Sequence, residues 1–136
     1  MFLWRARVYW EDTDAGGIVY YANYLRFLER ARTEWLRVNG ISQRVLAAER
    51  GVVFSVVALE AQYRRPARLD DLLVVSSEPA LEGAATLRFR QRIWRDSDSG
   101  ELLLEASVRV ACLTAATLRP QRLPAFVSEF LRETAG

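Results

Sequence analysis

The chain has 136 residues, of which 51% are hydrophobic and 26% are charged, and this balance is typical of one globular domain spanning residues 1–136. All 19 basic residues are arginines, because the sequence contains neither lysine nor histidine. These absences exclude a Ser-His-Asp relay, a histidine-bound zinc ion, a lysine Schiff base and a P-loop lysine. The single cysteine, Cys112, can form neither an intrachain disulfide nor a thiolate metal site. We therefore expect no metal and no cofactor, and any chemistry must come from carboxylates, hydroxyls, arginines or backbone groups.

Charge and hydropathy indicate no nucleic acid and no membrane. The net charge of +2 is too small to favour a nucleic-acid partner. The longest uncharged hydrophobic run, residues 51–59, is about half as long as a membrane span requires. The N-terminal residues do not have the order of a secretory signal. These features predict a cytoplasmic protein without a membrane span.

The spacing of apolar residues, together with turn and helix-start signals, predicts a strand, a long helix, a short helix, four strands and a last short helix. Alternation over Phe2–Trp10 has the period of a half-buried strand. From Tyr24 to Val38 the spacing changes to three and four, which predicts an amphipathic helix with Asn23 as N-cap and Gly40 as its stop. The later elements are a helix from Ser42 to Arg50, strands at Val52–Tyr63, Asp71–Pro79, Ala85–Arg95 and Leu102–Leu113, and a helix from Pro124 to Arg132.

Short connections between these strands favour antiparallel pairing. The predicted fold is therefore α+β, with the long helix on one face of a twisted five-stranded antiparallel sheet. One helix cannot cover such a sheet, so its outer face and edge would expose apolar side chains and unpaired backbone groups. We expect self-association into a homodimer, assembled further into a homotetramer.

The segment between the first strand and the long helix, residues 11–24, is the most unusual part of the sequence. Three carboxylates lie within four residues, and two glycines follow that let another group approach the backbone. The next helix begins with unpaired N–H groups. A carboxylate beside such donors can act as a nucleophile or base while the donors stabilise a developing oxyanion. The same residue types are also common as turn formers and as partners of a helix dipole.

The run Tyr-Trp-Glu-Asp-Thr-Asp-Ala-Gly-Gly-Ile-Val-Tyr over residues 9–20, with its continuation over residues 23–32, resembles the active-site segment of the 4-hydroxybenzoyl-CoA thioesterase family. It is most similar to the branch of small bacterial acyl-CoA thioesterases associated with the Tol-Pal system. Residues 63–71 resemble the second signature of the same branch. The resemblance implies a hotdog fold, in which the sheet wraps the long helix and two protomers form one continuous sheet. It also implies hydrolysis of acyl-CoA thioesters with short to medium aliphatic acyl groups. Aromatic acyl groups are an open alternative, because the hydroxybenzoyl-type enzymes also have tyrosine at the position of Tyr21.

The resemblance also implies site residues in this segment. It assigns the catalytic carboxylate to Asp14 and the oxyanion donor to the backbone N–H of Tyr21, where the branch usually has histidine. Asp14 would act either as a nucleophile that forms a mixed anhydride or as a base that activates water, and the sequence leaves both open. Gly17 and Tyr20 are assigned to substrate binding. Asp12 is interpreted as an acceptor that orders the loop.

A threonine and several arginines are candidates for binding coenzyme A. In the family, a Ser or Thr at the start of the fourth strand contacts the nucleotide, and Thr86 holds that place, although residues 83–84 lack the basic side chains of the hydroxybenzoyl members. Arg88 and Arg90 form a basic row on one sheet face, and Arg64 lies in an arginine-rich loop. These arginines would bind phosphates of coenzyme A or of an acyl carrier protein, unless they form an ordinary solvated face. A non-hydrolytic module that binds an acyl carrier protein or a lipid-synthesis enzyme is the alternative function.

Overall fold

A computed structural model describes residues 1–135 of the chain, with side chains described through Arg132. Its five strands form one antiparallel sheet in the order β1-β3-β4-β5-β2, which confirms the predicted α+β fold. The strands are β1 (Phe2–Arg7), β2 (Val52–Tyr63), β3 (Leu72–Leu81), β4 (Thr86–Arg95) and β5 (Leu102–Thr114). The helices are α1 (Tyr24–Val38), α2 (Gln43–Arg50) and α3 (Ala125–Ala135), and two 3-10 turns cover Trp10–Asp12 and Tyr21–Asn23.

Helix α1 packs its apolar face against the inner face of the sheet. Its first half buries Phe27 and Leu28 in one hydrophobic cluster, and its second half buries Trp35 in another. The Trp35 ring meets the edge of Phe89 of β4 with centroids 5.8 Å apart. Each fully buried side chain of this size contributes roughly 1.5–3 kcal/mol. The sheet therefore fixes α1, and the start of α1 fixes the segment that precedes it.

The first strand is shorter than its alternation predicts. β1 ends at Arg7, although alternating residues continue to Trp10. The backbone N–H of Val8 still donates to the carbonyl of Asp71 at 2.9 Å, in the register of the β1–β3 pair, whereas the N–H of Tyr9 donates to the Asp12 carboxylate at 2.8 Å. The bond to Asp12 turns the chain out of the sheet, so the prediction of a strand through Trp10 is wrong.

The predicted stop of α1 is confirmed, because Gly40 adopts a left-handed conformation after the helix. Ser42 caps α2 by accepting a hydrogen bond from the Val45 N–H, and Gly51 is left-handed after α2. Asn23, however, has a helical backbone and does not cap α1. Its side-chain amide donates to Asp12 instead, because the preceding turn already continues into α1.

The strands β1 and β2 lie at the two edges of the sheet. β2 is twice as long as β1, with 12 residues against 6, and it carries the exposed apolar side chains of Val56, Val57 and Leu59. Within the described residues no helix is long and apolar enough to span a bilayer.

Candidate active site

Asp12 closes the loop between β1 and α1. Its side chain is only 7% exposed and accepts two hydrogen bonds of 2.8 Å, from the Tyr9 N–H and from the Asn23 side-chain amide. Its carbonyl accepts a third bond from the Tyr20 N–H at 2.9 Å. A buried carboxylate persists when its oxygens are satisfied by donors in this way. The interpretation of Asp12 as a loop-ordering residue agrees with these contacts.

Between these anchors, residues 13–19 form a tight hairpin. Thr13 and Val19 face each other in an antiparallel bridge, and the Gly17 N–H donates to the Asp14 carbonyl at 3.1 Å. Gly17 has φ of +78°, a conformation that residues with a Cβ rarely adopt. The two glycines thus serve the turn that follows Asp14.

The carboxylate of Asp14 lies on the exposed side of this hairpin. Its Oδ1 accepts the Gly16 N–H at 2.7 Å, and no hydrogen bond among residues 1–135 uses its Oδ2. A Cβ added at Gly16 would lie 3.2 Å from Oδ1, so the glycine keeps this side of the carboxylate open. Asp14 therefore has one carboxylate oxygen that no hydrogen bond of the described residues engages, on the exposed side of the hairpin.

The hairpin docks on the loop that follows β2. The Val19 N–H donates to the Ala67 carbonyl at 2.8 Å, and the Ala67 N–H donates to the Tyr24 hydroxyl at 3.0 Å. Burial is the main reason why the pKa of Tyr24 is raised, and the hydrogen bond from Ala67 partly opposes this effect. The two backbone contacts of Ala67 hold the hairpin of Asp14 against the loop after β2 and join that loop to the start of α1.

Tyr21 begins the 3-10 turn that leads into α1. Its side chain is 65% exposed, and its ring packs against that of Tyr20 with centroids 4.9 Å apart. Within residues 1–135 no hydrogen bond engages its backbone N–H, as expected for the first amide of a helical turn. Its carbonyl accepts a hydrogen bond of 2.7 Å from the Tyr63 hydroxyl. The turn therefore offers a free donor beside the hairpin of Asp14.

The candidate residues for coenzyme A lie elsewhere in the same protomer. Ile93 of β4 lies near the level of Tyr63 in the sheet, because both residues pair with Leu104 of β5. Thr86 begins β4 seven residues before Ile93, so Thr86 lies about 23 Å along the strand from the level of Tyr63. Its hydroxyl donates to the Glu82 carbonyl. Arg88 lies on the outer face, opposite to α1, and donates to the Glu82 carboxylate at 2.8 and 2.9 Å. This hydrogen bond lowers the pKa of Glu82.

Arg64 and Arg90 differ from each other in their partners. Arg64 follows Tyr63 and donates to Glu105 at 3.0 and 3.2 Å, and this contact lowers the pKa of that carboxyl. Arg90 lines an open cavity of about 360 Å³ on the outer face, together with Glu60 and Glu78. One protomer thus places Asp14, Gly17, Tyr20 and Tyr21 on one continuous loop that leads into α1, whereas Thr86, Arg88 and Arg90 lie on β4. Among the residues that are described, no three acidic or cysteine side chains are grouped as metal ligands.

Two side-chain contacts are not predicted by the sequence. Tyr63 belongs to the segment 63–71 that carries the resemblance, but its contact with Tyr21 joins two residues that are 42 positions apart. Arg32 lies on the buried face of α1 and is 8% exposed, and its guanidinium donates to the side-chain oxygen of Gln91 of β4 at 3.0 Å. A signal for this pair existed, since Arg32 lies four residues after Leu28 on the apolar face and Gln91 is in phase with buried residues of its strand.

Several known proteins are similar to this chain in sequence and in fold. A family model described as Thioesterase-like superfamily matches residues 8–131. The chain is 47% identical over 131 residues to the acyl-CoA thioester hydrolase YbgC of Escherichia coli O6:H1, a match that covers 96% of each protein. A probable thioesterase from Bartonella henselae is 35% identical, with a TM-score of 0.84 and coverage of 90% of this chain and 98% of that one.

The fold is also that of a 4-hydroxybenzoyl CoA thioesterase mutant whose crystal structure contains 4-hydroxybenzoyl CoA. The TM-score is 0.87 and the match covers 96% of this chain and 97% of that one, at 24% identity. At this identity the likeness concerns the fold alone. These likenesses confirm the predicted hotdog fold.

Proposed function

The chain belongs to the Thioesterase-like superfamily, and from this premise we propose that it hydrolyses acyl-CoA thioesters with Asp14 as the catalytic carboxylate and the Tyr21 N–H as the oxyanion donor. The observation that carries the proposal is the free Oδ2 of Asp14 on a hairpin that leads directly into a turn with an unused amide. The similarity to YbgC over nearly the whole chain supports the same substrate class.

The reaction needs no histidine. As the carbonyl carbon is attacked, its oxygen gains negative charge and accepts a hydrogen bond from the Tyr21 N–H, and an oxyanion donor of this kind contributes about 10²–10³ in rate. Asp14 either attacks the carbonyl carbon itself, giving a mixed anhydride that water then hydrolyses, or takes a proton from the attacking water. In both cases the C–S bond breaks and coenzyme A leaves as a thiolate, a good leaving group that needs no strong general acid.

The acyl group and the contacts to coenzyme A form the finer part of the proposal. We propose short to medium aliphatic acyl groups, with aromatic ones as the variant that Tyr21 and Tyr20 permit through their exposed rings. Arg90, which has no ion pair among the described residues, is a better candidate for a CoA phosphate than Arg88 and Arg64, whose guanidinium groups are engaged by carboxylates. Gly17 and Thr86 stay in the proposed binding set.

The site is open in one protomer, and we propose that a second copy closes it. Asp14 and Tyr21 are exposed, and the long edge strand β2 carries unpaired backbone groups and exposed valines. Pairing of two β2 strands would form a continuous sheet and would bring each hairpin against the partner's strand. Exclusion of water would then strengthen the hydrogen bond to the oxyanion.

The test is a panel of short aliphatic, long aliphatic and aromatic acyl-CoA thioesters, with thiol release as the readout. We expect Asp14→Asn to lower kcat at least about a hundredfold, because carboxylate catalysis commonly contributes that much. Asp98→Asn in the exposed turn before β5 is the matched control and should retain full activity. Full turnover by Asp14→Asn would contradict the mechanism. Failure to hydrolyse any thioester, together with salt-sensitive binding to an acidic acyl carrier protein, would support the non-hydrolytic alternative instead.

A further inference from the structure

Tyr63 is the last residue of β2, and its side chain lies against the turn that carries the proposed oxyanion donor. The hydroxyl donates to the Tyr21 carbonyl at 2.7 Å. Its ring meets Tyr24 edge-on, with centroids 5.3 Å apart and planes at 81°. The contact thus joins the edge strand of the sheet to the entrance of α1.

The turn Tyr21–Asn23 has few other restraints. It is three residues long, Tyr21 and Ala22 are exposed, and its N-terminal residue has no side-chain cap. Asp12 holds it at both flanks, through the Tyr20 N–H and through the Asn23 amide. The peptide group that carries the Tyr21 N–H is held through its other end, where the Tyr20 carbonyl accepts the Asn23 N–H at 2.8 Å. Tyr63 supplies a side-chain bond to the next peptide group, at the Tyr21 carbonyl, and so restrains Tyr21 from its other side.

We propose that Tyr63 is a positioning residue for thioester hydrolysis, whose hydroxyl orients the Tyr21 backbone so that its N–H points at the developing oxyanion. This inference rests on the proposed function, because it presupposes that the Tyr21 N–H is the donor. Oxyanion donors act through their fixed orientation, and a misplacement of about 1 Å costs up to about 10² in rate. A loosened turn would therefore lower kcat while leaving ground-state binding of the substrate largely intact.

The chemistry of the phenol fits this role. Burial, followed by the neighbouring Tyr21, raises the pKa of Tyr63 above its ordinary value of 10.0, so the hydroxyl keeps its proton and remains a donor at neutral pH. A role in packing alone would need only the ring, which Phe also provides. The hydroxyl is therefore the group to remove.

The chain offers a matched control in Tyr24. Its hydroxyl also bonds to the backbone, but it accepts from the buried Ala67 N–H and does not touch Tyr21. Tyr24→Phe would leave that N–H without its partner and lower the unfolding temperature more than Tyr63→Phe does. Tyr63→Phe removes a bond of similar length from an exposed carbonyl that water can satisfy, so its effect on stability should be small.

The experiment measures kcat, KM, oligomeric state and thermal unfolding of the full chain and of Tyr63→Phe, Tyr24→Phe and Asp14→Asn on the best acyl-CoA of the panel. We expect Tyr63→Phe to lower kcat about tenfold with KM within about twofold, less than outright loss of a donor. Full kcat in Tyr63→Phe, while the wild-type protein hydrolyses the thioester and Asp14→Asn does not, would overturn this inference alone. No hydrolysis by the wild-type protein, or full activity of Asp14→Asn, would overturn the proposed function itself.

A second variant covers the case in which Tyr63→Phe folds poorly. Difluorotyrosine placed at position 63 keeps the ring and the hydroxyl but ionises near neutral pH. Its hydroxyl should lose the donated proton as pH rises, so kcat should fall reversibly over a range where the wild-type kcat stays level. An identical pH profile for both proteins would contradict a positioning role.

Discussion

Two carboxylates of the same loop, two residues apart, have different environments. Asp12 is buried and accepts two donors with its side chain, so its oxygens are committed to holding the loop. Asp14 is exposed and accepts one, which leaves an oxygen for chemistry. Neither role can be read from the residue type. The contacts of each side chain decide which carboxylate is structural and which is the candidate for catalysis.

Cys112 gives a prediction about pH at the same scale. The side chain is fully buried, and burial raises the pKa of its thiol above the ordinary value of 9.0. The thiol ionises less readily in the folded state than in the unfolded state. The stability of the fold that depends on the neutral thiol is therefore fully present below about pH 9, and it is lost as pH rises through the pKa of the folded state. Urea unfolding at pH 8, 9 and 10 should show a decline that is smaller in Cys112→Ala. An equal decline in both proteins would show that the thiol has no part in it.

At the scale of elements, a buried polar network ties α1 to the sheet. Gln91 is 1% exposed, accepts from Arg32, and donates to the Leu28 carbonyl and the Ser77 hydroxyl at 3.0 and 2.9 Å. Burial lowers the pKa of Arg32, and the charge of Glu29 partly opposes this effect. A buried guanidinium without its acceptor is costly, so this network fixes how α1 lies on β4.

The network can be tested by a double-mutant cycle. We expect Gln91→Leu to lower the free energy of unfolding by about 2–3 kcal/mol, because it leaves Arg32 without its acceptor. The double variant Arg32→Met/Gln91→Leu should lose less free energy of unfolding than the sum of the losses in the two single variants. Gln62→Leu on the exposed end of β2 is the control and should have little effect. Additive losses, measured by urea unfolding at one protein concentration, would show that the two side chains are not coupled.

For the whole molecule, the two edges of the sheet are unequal. β1 is short, whereas β2 presents a long edge whose register is interrupted at Val57, between Val56 and Ala58. An exposed edge of this length with aliphatic side chains is a template for pairing with another chain. The proposed homodimer uses this edge, and a homotetramer would require a further surface.

The edge predicts a coupled loss of assembly and activity. Lysine on an edge strand opposes pairing, and Val57 is 54% exposed on β2. We expect Val57→Lys to shift the protein to monomer at micromolar concentration and to lower kcat with it, as judged by sedimentation equilibrium and thiol release. Val38→Lys, at an exposed valine of α1, should remain assembled and active. A fully active Val57→Lys monomer would contradict both the shared site and the continuous sheet.

The amino-acid sequence by itself determined the elements and the candidate loop. Periods of two and of three to four, together with turn and helix-start residues, predicted the five strands and three helices of residues 1–135, because each of these signals follows from local backbone geometry. The order of carboxylates and glycines, with the resemblance it carries, indicated Asp14 and Tyr21 before any contact was known. The elements and the candidate loop both depend on residues that are neighbours in the sequence.

Only the tertiary structure decided how these parts meet. The end of β1 at Arg7, the amide of Asn23 on Asp12, and the hydroxyl of Tyr63 on Tyr21 depend on which segments the fold brings together. So does the pairing of Arg32 with Gln91, which lies 59 residues away. Such contacts arise from the register and packing of distant elements, and local propensity carries no information about them.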